Sequence, residues 1–179
     1  MRKAWIGSAA AVVLLLAFGV YAFADYTTGW YPWHTYTQAS RNFLIVNKAY
    51  SYLGQYVGLN CKDWARKVVK EASNHVTLPS TYPDANGWYW YYDVNVVGMS
   101  GGIRSVQPGW IVQMNWRKDD GTITPHTAIV SSVTGTGVYF IESNWCSNNC
   151  MIVSATPRFV SFADFESRVG TKYSVYYIL

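Results

Sequence analysis

A chain of 179 residues with 14 Lys and Arg against 10 Asp and Glu carries a formal net charge of +4. That excess is far too thin for a nucleic-acid binder. The length suits one domain with a real core and excludes two typical ones. No internal repeat and no low-complexity segment is visible.

The chain starts with the basic Met1-Arg2-Lys3, followed by residues 4–24 without a charge. Ala22-Phe23-Ala24 then offers small residues where a signal peptidase reads. This is the layout of a secretory signal peptide, and cleavage is expected after Ala24. The alternative is a retained N-terminal anchor, because 21 uncharged residues just span a bilayer. Cleavage removes two cations and leaves 12 − 10 = +2, in a protein that is secreted, extracellular or in the cell envelope. Residues 25–39 (DYTTGWYPWHTYTQA) are aromatic and nearly uncharged. They read as an arm packed on the domain, not as a solvated linker.

A first helix is predicted over residues 40–53, capped by Ser40 and stopped by Gly54. Phe43, Val46, Tyr50 and Leu53 follow helical spacing along it. A short loop leads to a second helix from Cys61 to about Asn74. Asn60 is a good N-cap and Asp63 adds an acid to the first turn. Cys61, Ala65, Val68 and Ala72 share one face. A core cysteine would more naturally sit mid-helix. At the helix start, backbone N–H groups and the positive end of the dipole favour a thiolate.

Residues 80–102 read as loop, rich in glycine, around the aromatic run "GWYWYYDV". Such a run forms a half-buried strand more often than a sugar-stacking surface. As groove candidates we take Trp88 and Trp90 from it, with Trp64 and Trp145. From Pro108 the pattern turns to strands: "GWIVQM", "HTAIVSSV", "GVYFIESNW", "MIVSA" and "YSVYYIL". Helices first and strands after imply an α+β domain with an antiparallel sheet.

His126 opens "HTAIVSSV" and shares a face with Ala128 and Val130. On the next strand Val138, Phe140, Glu142 and Asn144 share a face. A hairpin through Gly135 brings Asn144 near His126 and Glu142 to the neighbouring diagonal, with the register open to a bulge at Gly135 or Gly137. A helix-start thiol, a nearby histidine and a carboxylate or amide to fix its tautomer are the parts of a cysteine hydrolase. The helix N-terminus also presents N–H groups to an oxyanion. A carboxylate on an apolar face needs a partner. His126 is the only basic group placed nearby, which favours Glu142 over Asn144 as the orienting group. Cys146 and Cys150, four apart in "NWCSNNC", are expected to pair in an oxidising compartment, leaving Cys61 free. A metal site there lacks further ligands.

"NCKDWARKVV", "PGWIVQM", "HTAIVSSV" and "VYFIESNW", in this order, resemble the CHAP amidase/peptidase domains, relatives of the NlpC/P60 enzymes in the papain-like superfamily. The resemblance covers residues 43–179. It implies a papain-like catalytic domain over residues 40–179, its N-terminal helices packed on a five- or six-stranded antiparallel sheet. It implies Cys61 as nucleophile, His126 as base, Glu142 as orienting acid and Asn144 as a further polar residue. "LGQYVG" is similar to the loop where some relatives place an oxyanion-binding tyrosine, here Tyr56. The implied activity is hydrolysis of peptidoglycan amide bonds through a Cys thioester, without a cofactor, by a monomer that touches a membrane only through an uncleaved N-terminal segment. Two alternatives stand beside it. One is a cysteine amidase or transferase acting on another peptide or amide. The other is a non-catalytic glycan-binding module using the aromatic run.

Overall fold

The computed structural model describes residues 33–74, 76–78, 97–146 and 150–179. The chain divides into two compact units, Met1–Trp33 and His34–Leu179, and the fold below is that of the second. The expected signal segment, most of the arm, and Trp88 and Trp90 lie outside the described residues. No helix among the described residues is long and apolar enough to cross a membrane.

Helix α1 spans Gln38–Tyr50 and starts one turn earlier than Ser40 suggests. Its N-cap is Thr37, whose hydroxyl accepts from the Ser40 amide at 3.2 Å. It buries Ile45, Ala49 and Asn42, whereas Phe43 and Tyr50 of the expected apolar set are exposed. Helix α2 spans Cys61–Ser73 as its capping signals imply. The Asn60 side chain accepts from the Asp63 amide at 2.9 Å. Asn74 closes the helix in the left-handed conformation at φ 63°, which asparagine is one of the few non-glycine residues to tolerate.

One antiparallel sheet follows. Its strands are β1 (Val97–Ser100), β2 (Ile111–Arg117), β3 (Ile123–Val133), β4 (Gly137–Ile141), β5 (Arg158–Ser161) and β6 (Tyr173–Ile178), in the order β1-β6-β2-β3-β4-β5. The fold is α+β and papain-like, and the sheet has six strands. Two assignments change. The expected strand "MIVSA" contributes only isolated bridges, Ile152 to Tyr56 and Val153 to Ser143; the edge strand lies further on, at Arg158–Ser161. A third helix, α3 (Phe162–Val169), links β5 to β6. Ser161 caps it by accepting from the Asp164 amide, and Phe162, Phe165 and Val169 are buried. Strand β1 falls in the stretch expected to be loop.

Alternation along the strands covers both sheet faces. Val112, Met114, Ala128, Val130, Val138 and Phe140 form a core with the buried face of α3. Ile111, Ile129 and Ile141, of opposite parity, are fully buried as well. Helices α1 and α2 pack on each other and on β3. Gly109, just before β2, fits directly against the α1 backbone: a Cβ there would lie 2.4 Å from the Asn42 carbonyl oxygen. The β3–β4 pairing runs Ile129 to Ile141 and Val130 to Phe140, then shifts at Ser131 to Ser132 with Tyr139. The bulge is therefore at Ser131, not at Gly135 or Gly137.

Candidate active site

The start of α2 meets β3 at His126 and Thr127. Cys61 is partly buried and is the free cysteine; Cys146 and Cys150 are disulfide-bonded. Burial pushes the Cys61 thiol up, yet its pKa lies below the ordinary thiol value. The hydrogen bond and positive charge of His126, with the backbone N–H groups of Thr127 and Lys62, outweigh the desolvation. The position at the first turn of α2 acts in the same direction.

His126 is itself buried at 4% exposure. Its Nε2 lies 2.9 Å from Oε2 of Glu142, which leaves Nδ1 for Cys61. Burial alone would lower the imidazole, but the hydrogen bonds and charges of Cys61 and Glu142 raise it to about 9. Glu142 is wholly buried. Desolvation pushes its carboxyl up, while His126 and Arg158 hold it below the ordinary range. Thiol, imidazole and carboxylate are thus coupled in a row, each biasing its neighbour toward the charged form.

Register explains why Glu142 and not Asn144 reaches the ring. With Ile129 opposite Ile141, His126 and Glu142 stand on the same face as diagonal neighbours. Asn144 has left the strand, at φ 62°. Its Oδ1 accepts from the Met151 amide at 3.2 Å and braces the disulfide loop.

A cavity of about 500 Å³ opens beside these groups. Cys61, His126, Asn144, Trp145 and Cys146 line it, together with Trp116, Pro125, Lys118, Asp119 and Arg168. Trp145 packs edge-on against His126, with ring centroids 4.6 Å apart, and edge-on against Trp116 at 5.3 Å.

The CHAP domain family matches residues 50–144 of this sequence. The chain belongs to the CHAP domain family. No curated protein matches it. Two solved structures of Ly7917 share its fold: one at 16% identity with a TM-score of 0.56, the other, with the hydrolysing product of MDP, at 15% and 0.57. In both cases the alignment covers 76% of this chain and 62% of the other.

In this CHAP domain the expected residues fall into three groups. Cys61, His126, Glu142, Asn144 and Trp145 come together around one cavity. Tyr56 is 72% exposed, does not line that cavity, and turns its ring toward Gly58. Trp64 is not a groove residue: it is fully buried. It sits one helical turn after Cys61 on the same α2 face that carries Ala65, Val68 and Ala72 into the core. Arg158 is absent from the sequence reading, which placed His126 as the only cation near Glu142. Its guanidinium Nε donates to Oε1 of Glu142 and its Nη2 to Oε2 at 3.1 Å. A buried carboxylate seldom has one partner, and that rule was the available signal for a second cation.

Proposed function

We propose that this CHAP protein is an exported cysteine hydrolase that cleaves amide bonds of peptidoglycan through a Cys61 thioester. The observation that supports it most is the coupled row of Cys61, His126 and Glu142, with Cys61 and His126 on the wall of an open cavity. Family membership and the fold shared with Ly7917, crystallised with the hydrolysing product of MDP, support the wall substrate.

The chemistry follows from the geometry. The Cys61 thiolate attacks the amide carbonyl carbon, and negative charge moves to the carbonyl oxygen. The first N–H groups of α2, including that of Lys62, are the donors suited to that oxyanion. His126, held as imidazolium, gives its proton to the nitrogen as the C–N bond breaks, which releases the amine and leaves a thioester. Water then attacks the thioester carbon while neutral His126 takes its proton. The C–S bond breaks and the carboxylic acid leaves, giving its proton to solvent, and the thiolate–imidazolium pair is restored. Glu142 fixes the ring and balances its charge throughout.

The test is turbidity loss of purified cell walls together with the appearance of new amine termini, for wild type and Cys61→Ala. Loss of both in the variant is expected. Wall binding without new amine termini in the wild type would instead favour a glycan-binding module. Rapid alkylation of Cys61 without action on walls would favour an amidase for another substrate.

A further inference from the structure

The cavity wall and the buried carboxylate meet at one side chain that the mechanism above does not use. Arg158 is the first residue of β5, with 23% of its side chain exposed. It donates to both oxygens of Glu142, in the planar two-point arrangement that guanidinium makes with carboxylate. Its other surface lies over the Trp145 ring, 3.9 Å from the centroid, and near Trp116 at 5.0 Å. Trp145 in turn packs on His126. Arg158 therefore bears on the imidazole along two routes, the carboxylate and the indole.

We propose that Arg158 is a positioning residue for the Cys61–His126 pair: it clamps Glu142 in the rotation that faces His126 and props Trp145 against the ring. The inference rests on the cysteine-hydrolase reading and deepens it. A carboxylate with no exposed surface and only His126 as partner would have Oε1 unsatisfied, at a cost that rotation or protonation would relieve. Either response weakens the imidazolium. The charged groups facing Glu142 are His126 from β3 and Arg158 from β5, with Cys61 from α2 beyond His126. Burial drives the carboxyl upward, and the guanidinium is one of the two groups opposing it. Removing Arg158 takes a positive charge from the set and loosens the imidazolium. Both changes disfavour the thiolate.

The readout is the rate of Cys61 alkylation by iodoacetamide as a function of pH, which needs no wall substrate. Wild type should react as a thiolate well below the ordinary thiol range. In Arg158→Met the acid limb should move up by about one unit, so that the rate near pH 6 falls about tenfold. Arg158→Lys keeps the charge without the fork or the flat stacking surface, and its limb should still move up, by about a third to a half as much. In a Glu142→Gln background, Arg158→Met should add less than half its wild-type effect, because both act through one carboxylate. A side chain that merely packs would give additive losses and no movement of the limb.

A wild-type profile in Arg158→Met, or full additivity with Glu142→Gln, would overturn the inference while leaving the hydrolase reading intact. If wild-type Cys61 itself titrates as an ordinary thiol, the hydrolase reading falls and the inference with it. Thermal melts of each variant check folding. If the methionine variant does not fold, Arg158→Lys decides alone: a limb superposed on wild type would overturn the proposal.

Discussion

Replacing Glu142 by glutamine keeps the shape of the side chain and removes its charge, and the surroundings set the size of the effect. Glu142 accepts from His126 with Oε2 and from Arg158 with both oxygens. A glutamine has one oxygen to offer and turns an NH2 toward one of two donors. Either His126 or Arg158 then loses its acceptor. Arg158 retains some contact with water, so the loss of stability should fall below the 3–5 kcal/mol typical of a broken buried pair, at about 2 kcal/mol. The larger effect is on titration. His126 is raised to about 9 from 6.5, and Glu142 shares that rise with Cys61. Giving Glu142 roughly half places the alkaline limb of turnover about one unit lower in Glu142→Gln, worth ~1.4 kcal/mol. The assay is wall lysis against pH, with Asn144→Ala beside it. Asn144 accepts from the Met151 amide and holds a left-handed backbone. Alanine there should therefore cost loop stability of about 1 kcal/mol and leave the limb in place. An unmoved profile in Glu142→Gln, with a moved one in Asn144→Ala, would refute the assignment and make the site a Cys-His-Asn arrangement.

The same ionisations give stability a pH dependence. His126, raised when folded, contributes fully below 6.5 and loses its contribution as pH rises through about 9; Glu142, lowered when folded, contributes above 4.5 and loses it as pH falls. The stability difference between wild type and Glu142→Gln, from urea unfolding, should therefore be greatest between those ordinary values and shrink on either side; steady growth toward alkaline pH would contradict it. Replacing Cys146 and Cys150 together by serine opens a loop of separation four and should cost about 2 kcal/mol in the chain-entropy picture. A thiol count on denatured, unreduced wild type should return Cys61 alone, and three thiols would refute the pairing. Gly109→Ala would drive a methyl into the α1 backbone at a φ of +84° and should lower stability by roughly 3 kcal/mol, seen as a fall in Tm; an unchanged Tm would mean that α1 does not press on this turn.

The sequence was most informative where a local rule and a long-range need coincide. Asn60 and Asp63 mark the start of α2 by capping chemistry, and that start is where Cys61 gains its N–H neighbours. Strand parity grouped Glu142 with Asn144, and the register of a hairpin through Gly135 brought that face to His126. Arg158 was illegible because its partner lies 16 residues away across a loop, and local pattern carries no term for that contact. "MIVSA" has the composition of a strand, but the chain there crosses Tyr56 and Ser143 only in single bridges. Helix α3 has a serine cap, an acid in its first turn and Gly170 at its end, yet eight residues give helical periodicity little to show. Trp64 was misplaced by attention to its aromatic ring, although its position one turn after Cys61 is a core position. In α1 the apolar spacing of Phe43 and Tyr50 was real, but Ile45 and Ala49 are the residues that meet the domain.

The bulge at Ser131 works as a phase correction between the hairpin and the chemistry. On the tip side, paired residues sum to 271, as in Ser132 with Tyr139; on the site side they sum to 270, as in Ile129 with Ile141. Were the tip's phase carried through, Glu142 would stand opposite Ile129 and point away from His126, with every backbone hydrogen bond still available. The hairpin tip can therefore change length without touching the site, provided Ser131 stays out of the ladder. Drawing Ser131 into the ladder, with no residue lost, would turn Glu142 to the other face of the sheet and leave the imidazole without its acid, whereas deleting Ser131 would keep Ile129 opposite Ile141 and the acid in place.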